Sequence, residues 1–143
     1  MPDDAIRLIA AAVIRAGDRL LVWEDRDAAS GEVVAVPLAG GVEFGETGEQ
    51  AIRRELIEEI GAEAASVAYL GTLEDIFEWE GRRRHEVFLV YGVELADRSL
   101  YERAQLQVVE DDGETYPARW QPLSDFDGSR RLVPTGLREL IGR

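Results

Sequence analysis

An α/β fold, with a mixed β-sheet held between helices, is what this sequence predicts. Residues 9 to 14 are almost continuously apolar, the pattern of a strand covered on both faces. Residues 85 to 95 (HEVFLVYGVEL) form a second strongly apolar run, rich in the valine and aromatic side chains that suit strands. Between them lies a segment with helix caps at both ends, and residues 134 to 141 form a short amphipathic terminal helix. Because strands and helices alternate irregularly, the sheet is expected to be mixed.

In chain order, residues 5 to 14 and 20 to 23 are two apolar runs joined by Ala16-Gly17-Asp18, which predicts a hairpin. The polar stretch EDRDAASGE, residues 24 to 32, is expected to be a surface loop, and the apolar residues 33 to 38 lead into a glycine-rich turn. Thr47 followed by Gln50 has the form of a capping box, and Gly61 suits the position just past the last turn, so a helix is predicted from Gly48 to Ile60. A strand is expected within residues 62 to 73. Residues 75 to 80 alternate Ile76, Phe77 and Trp79 with acids before Gly81 turns the chain into Arg82, Arg83 and Arg84. Residues 96 to 113 read as loop or short helix, residues 116 to 123 as a closing strand, and residues 124 to 131 as polar connection.

With 143 residues the chain suits one domain, residues 1 to 143, with a core that needs no staples. It has no cysteine, which excludes disulfides, thiolate catalysis and sulfur metal sites. A formal charge of −13 opposes broad attachment to nucleic acid polymers or to an anionic membrane, yet tolerates a small phosphate ligand that brings its own cation. The start Met1-Pro2-Asp3-Asp4 lacks the form of a signal peptide and no run is long enough to span a bilayer, so a cytoplasmic protein is expected.

The chemistry concentrates on the central helix. At 100° per residue, Glu55, Glu58 and Glu59 fall within one arc of roughly 100°, beside an apolar stripe of Ile52, Leu56 and Ile60. Like charges so spaced repel by about 0.2–0.5 kcal/mol per pair on an exposed helix, and by more where water is excluded. Arg54 can pair with Glu58, but one guanidinium cannot neutralise three carboxylates. A divalent cation can. Hard oxygen donors without histidine or cysteine favour Mg²⁺ or Mn²⁺, whose shell is commonly completed by water and substrate phosphate, so a phosphate ester or anhydride is the expected substrate. The alternative is a solvated acidic face with no ligand.

The whole stretch from Gly40 to Ala62, GGVEFGETGEQAIRRELIEEIGA, weighs against that alternative. Gly40, Glu46, Arg54-Glu55-Leu56, Glu58-Glu59 and Gly61-Ala62 fill every fixed position of G-x5-E-x7-R-E-U-x-E-E-x-G-U, with U apolar. The segment therefore resembles the Nudix box, and the order of elements around it is similar to that family. The resemblance implies a Nudix α/β/α sandwich and a MutT-like hydrolase in which water cleaves a phosphoanhydride bond of a nucleoside diphosphate derivative. It also implies roles. Glu58 and Glu59 would be metal ligands, Glu55 a ligand or the residue that activates water, Glu46 a helper of the metal shell, and Arg54 the group that orients the carboxylates. The backbone carbonyl of Ala39 occupies a position that often ligates metal, although here Leu38-Ala39 replace the family's usual Pro-Gly and Pro37 stands one place earlier.

Relatives also draw a ligand or base from a late loop, for which Glu110, Asp111, Asp112 and Glu114 compete; Glu114 is favoured, and Glu86 is a further candidate. Arg82 and Arg84 belong to the one basic cluster and suit phosphate by their planar, two-pronged geometry. Trp23, Phe77 and Trp79 are available for stacking on a base, with core packing the simpler role for Trp23. His85 reads as a strand-end histidine. Relatives commonly dimerise, so a homodimer is compatible with the resemblance. A Nudix-fold module that binds a nucleotide without hydrolysing it is the competing function, which a degenerate box would have favoured.

Overall fold

The computed structural model describes residues 4–128 and 130–142. The reading of the first three residues as no signal peptide, and Ser129 of the polar connection, lie outside them. The strands are β1 (Ile6–Val13), β2 (Arg15–Ala16), β3 (Arg19–Arg26), β4 (Val33–Gly41), β5 (Ala64–Trp79), β6 (Arg82–Leu95), β7 (Gln105–Val109), β8 (Thr115–Pro122) and β9 (Arg131–Leu132). Two helices, α1 (Gly48–Ile60) and α2 (Leu137–Ile141), and two 3₁₀ turns, Arg98–Glu102 and Leu123–Asp127, complete the described chain. The sheet runs β5-β6-β1-β4-β3-β8-β7, with β2 beside β3 and β9 beside β4. It is mixed, since β1 lies parallel to β6 and antiparallel to β4.

Period-two alternation along β1 divides the core between two faces. Ala10 and Ala12 join Ala51, Ile52 and Leu56 of α1, whereas Ile9, Ala11 and Val13 join Phe126, Leu132 and Leu137 of α2. Residues 9 to 14 are each no more than 7% exposed, as a doubly covered strand requires. One helix therefore closes each face, which is the α/β/α sandwich expected. Side chains as buried as Leu56 and Leu137 each contribute about 1.5–3 kcal/mol by leaving water.

Helix α1 begins and ends where its caps predict. Thr47 Oγ1 accepts the Gln50 N–H at 3.1 Å while Gln50 Oε1 accepts the Thr47 N–H at 2.9 Å. Gly61 closes the helix at φ 65°, and its N–H donates to the Ile57 carbonyl.

Five expectations need correction. The first hairpin is confined to Arg15–Ala16 against Arg19 and Leu20, because β4 inserts between β1 and β3 and pairs with both. Residues 24 to 26 belong to β3, so the surface loop begins only at Asp27. In place of two segments, β5 is one 16-residue strand with irregularities between Ala64 and Ser66 and between Tyr69 and Gly71, turning at Glu80 (φ 53°) and Gly81 (φ 76°) into β6. Two successive positive φ values match the right-handed twist of such a ribbon. Residues 105 to 109 form an edge strand within the stretch expected to be loop or helix, and α2 is shorter than predicted because Gly136 stands at φ 92° before it. Among the described residues no helix is long and apolar enough to cross a membrane.

Candidate active site

Arg54 is the hub of the acidic helix. Its Nε and Nη2 grip Glu46 at 2.8 and 2.9 Å, Nη1 donates to Glu55 at 2.8 Å and to Glu58 at 3.2 Å, and Nη2 also donates to the Gly41 carbonyl at 3.0 Å. The planar fork allows this, since Nε and Nη2 together clasp one carboxylate while Nη1 and Nη2 have further N–H groups for the other acceptors. The anticipated Arg54–Glu58 pair is present, but the strongest partner is Glu46, eight residues back across the glycine turn. Arg54 holds the Glu46 carboxyl down to about 2, with the Glu43 N–H to Glu46 contact adding to the effect.

Glu59 is not among the partners of Arg54 but lies against Glu55. It is 8% exposed, and its Oε1 is buried with no hydrogen-bond partner. Burial first, then the charges of Glu55 and Glu110, push its carboxyl up from 4.5 to about 9. A buried carboxylate without a donor is costly unless a cation or proton satisfies it. Glu55 is likewise raised by burial, against the opposing pull of Arg54. Both groups favour a proton or a metal ion.

Gly40 fits this arrangement. A β-carbon there would lie 2.0 Å from Glu55 Cδ, so the bare backbone of β4 is what lets the Glu55 carboxyl lie against the strand. Gly48 meets the same constraint from Tyr91, whose hydroxyl would be 2.1 Å from an added β-carbon. Among the described residues no three acids or imidazoles already converge at metal-binding spacing. Arg54 draws Glu46, Glu55 and Glu58 to itself, while Glu59 is buried beside Glu55. The donor set, all carboxylate oxygen with one orphaned buried atom, nevertheless fits a hard divalent cation better than any other group.

The late acidic loop approaches the same helix. Glu110 and Asp111 are the members whose charges act on Glu59, and Asp111 also acts on Glu55. Glu114 is exposed, and its N–H donates to Asp112 Oδ1 at 2.9 Å. Tyr116 donates its hydroxyl to Glu110 and packs on Trp23 with ring centroids 4.4 Å apart. Trp23 is thus half-buried against the core near the acids. Glu110 is one of the four competing acids of the late loop, whereas Tyr116 carried no signal beyond its place in the closing strand; the register of β7 against β8, which sets Val109 opposite Thr115, brings them here.

Ala39 lies on β4 opposite Ala11, and Glu80 is the only non-glycine with positive φ among the described residues, so the replacement of the usual glycine is accommodated in ordinary strand geometry. On this strand begins a cavity of about 240 Å³, lined by Ala39, Gly40, Gly41, Phe77, Trp79 and Arg84. Gly40 therefore belongs to the wall of the cavity and to the seat of Glu55. Arg82 starts β6 opposite Trp79, at the exposed end of the ribbon, and is not part of that wall. His85 Nε2 lies 2.7 Å from Glu74 Oε2 at a strand surface.

Asp27, within the segment expected to be a surface loop, is a buried acid. Its Oδ1 accepts the N–H groups of Ala29 and Glu80, each at 2.9 Å, pinning the β5–β6 turn against the loop after β3. An Asp followed by small residues and Gly31 is an Asx-turn signal, which marked the local half of this arrangement.

A family model described as NUDIX domain matches residues 6–141. No curated protein sequence matches. Among solved structures, the chain is similar to the MutT NUDIX hydrolase from Burkholderia pseudomallei at 23% identity and TM-score 0.68, covering 96% of this chain and 97% of that one. It is similar to the E. coli ORF135 protein at 24% identity and TM-score 0.64, covering 95% and 86%. A structure titled ADP compounds hydrolase matches at 21% identity and TM-score 0.57, covering 86% of this chain and 62% of that one. At these identities the structural likenesses speak for the fold.

Proposed function

The chain belongs to the Nudix family, and from that premise we propose that it is a Mg²⁺- or Mn²⁺-dependent hydrolase cleaving a phosphoanhydride bond of a nucleoside diphosphate derivative. One observation carries the reading: Glu59 presents a buried, unpartnered carboxyl oxygen beside Glu55 on a helix whose remaining acids are held by Arg54. Glu58, Glu59 and Glu55 would hold the cation, with Glu46 and the Ala39 carbonyl at its margin. A divalent ion there supplies neutralisation of pyrophosphate oxygens and an acidified water.

The protein's own groups do the rest. Arg54 orients the carboxylates of Glu46, Glu55 and Glu58, and a cation held by Glu55, Glu58 and Glu59 would compete with it for Glu55 and Glu58. Glu55, raised by burial, is suited to take a proton from water, and Asp111, Glu110 or Glu114 of the late loop is the second candidate base. The cavity beside Gly40 receives the nucleoside, with Arg84 on its wall toward phosphate or sugar and Arg82 at the outer end of the same strand.

The experiment is a release assay over a panel of nucleotide anhydrides with Mg²⁺ and with EDTA, identifying products and hence the bond cut. Metal-dependent release that Glu58→Gln and Glu59→Gln each lower by about 10²-fold or more, with the fold retained, is expected. Nucleotide binding without release under every metal condition would instead establish a silent binding module.

A further inference from the structure

We infer that Arg7, Glu86 and Asp75, a polar row across the cavity, read the base of the nucleotide and select guanine. The inference rests on the reading that this cavity holds the substrate's nucleoside.

Sheet register builds the row. Arg7 on β1 stands opposite Glu86 on β6, and Glu86 stands opposite Asp75 on β5, so the three side chains project from neighbouring strands to one side of the sheet. All three line the cavity. On one flank the next row is apolar, Ile9 opposite Phe88, and on the other Phe77 stands opposite Arg84; these residues line the cavity too. The two acids of the row are therefore buried between an apolar row and a row holding Phe77 and Arg84, while the Arg7 side chain is half-exposed at the end of the row.

Glu86 is 6% exposed and Asp75 8%, and acids so buried require partners. Each has one. Arg7 Nη1 donates to Glu86 Oε2 at 3.3 Å, and the Thr135 N–H donates to Asp75 Oδ2 at 3.0 Å. That leaves Glu86 Oε1 and Asp75 Oδ1 accepting nothing among the described residues. The cavity thus offers two acceptors side by side, next to a guanidinium donor.

Across β1, β6 and β5 the order is donor, acceptor, acceptor. Guanine presents the complement along one edge: the O6 acceptor, the N1–H donor and the 2-amino donor. Adenine and cytosine set a ring acceptor beside their amino group, which would face a carboxylate unpaired, and uracil places a carbonyl at both ends. A buried site left with mismatched acceptors rejects the wrong base more strongly than a merely apolar pocket does. Phe77 and Trp79, lining the same cavity, provide aromatic surface for the ring.

The test compares binding of GDP, IDP, ADP and CDP in Mg²⁺ by calorimetry, alongside hydrolysis of the matching triphosphates. IDP differs from GDP only by lacking the 2-amino group, so GDP is expected to bind about tenfold tighter or more, the loss that follows one charge-assisted hydrogen bond. In Asp75→Asn the single amide oxygen is claimed by the Thr135 N–H, turning an NH₂ toward the base, and the GDP-over-IDP preference should fall to near parity. Equal affinities for GDP and IDP in the unaltered protein overturn the proposal whether or not the variant folds, as does a preference that survives in a folded Asp75→Asn. A guanine preference without metal-dependent release of any nucleotide supports the base reading while removing the hydrolase. Metal-dependent hydrolysis indifferent to the base does the reverse.

Discussion

Gly40 and Glu55 occupy one space between them: a β-carbon on the glycine would stand 2.0 Å from Glu55 Cδ and 2.3 Å from its Oε1. Strand β4 therefore ends in bare backbone where the helix lays its carboxyl down. Gly40→Ala should displace Glu55 rather than the strand, because the clash falls at the far end of a flexible side chain. Turnover is expected to drop by about 10²-fold, the scale seen when one electrostatic group leaves a reacting centre. The melting temperature should shift by only a few degrees, and kinetics paired with thermal unfolding checks both. Full activity in a folded Gly40→Ala would show that the position of Glu55 does not matter.

Arg54→Lys keeps the charge and removes the fork. A lysine has one nitrogen, whereas Arg54 uses Nε, Nη1 and Nη2 to reach Glu46, Glu55, Glu58 and the Gly41 carbonyl. The variant should melt several degrees lower in EDTA, and Mg²⁺ should stabilise it more than it does the unaltered protein, since freed carboxylates are available to the ion. Unfolding curves with and without Mg²⁺ measure the difference. Equal Mg²⁺ effects in the two proteins would mean that Arg54 does not compete for these acids.

How far the fold could be read from sequence depended on the range of the interactions. Helix α1 was legible to the residue because Thr47, Gln50 and Gly61 act on neighbours within one turn. The apolar run through Ile9 and Ile14 announced a doubly covered strand, yet nothing local could say that β4 and β6, not β3, would flank it. Gln105 to Val109 alternates as a strand should, but five residues beside polar neighbours gave too short a pattern to outweigh a loop. In the site, the glutamates and Arg54 followed from spacing along one helix. The choice among Glu110, Asp111, Asp112 and Glu114 depended on the β7–β8 register, and the row of Arg7, Glu86 and Asp75 on pairing across three strands.

Asp27 joins two parts of the chain 53 residues apart, through the Glu80 N–H. Glu80 carries the left-handed φ of the β5–β6 turn, and Phe77 and Trp79 just before it line the cavity. Asp27→Ala removes the acceptor of two backbone N–H groups. The expected result is a melting temperature lower by several degrees and a raised KM with kcat little changed, because the turn loosens while the helix acids stay in place. A loss in kcat alone would contradict a positioning role for Asp27.

Glu59 makes the stability of the metal-free protein depend on pH in a direction opposite to ordinary acid denaturation. Burial, then Glu55 and Glu110, raise its carboxyl from 4.5 to about 9, so between those limits the folded state holds a proton that the unfolded chain has released. The stabilisation is complete below pH 4.5 and is lost as pH rises toward 9, at a slope of at most about 1.4 kcal/mol per pH unit for one such group. Glu46 acts elsewhere: Arg54 lowers it to about 2, so its contribution is present above 4.5 and disappears as pH falls through 2. Denaturant titrations in EDTA across mildly acidic to mildly alkaline pH should therefore show the unaltered protein weakening relative to Glu59→Gln, which has no proton to lose. Mg²⁺ should flatten the difference, because an ion bound to Glu59 favours the charged form. Parallel pH curves for the two proteins in EDTA would mean that Glu59 is ionised without a cation, and the case for a metal drawn from its unpartnered oxygen would fall with it.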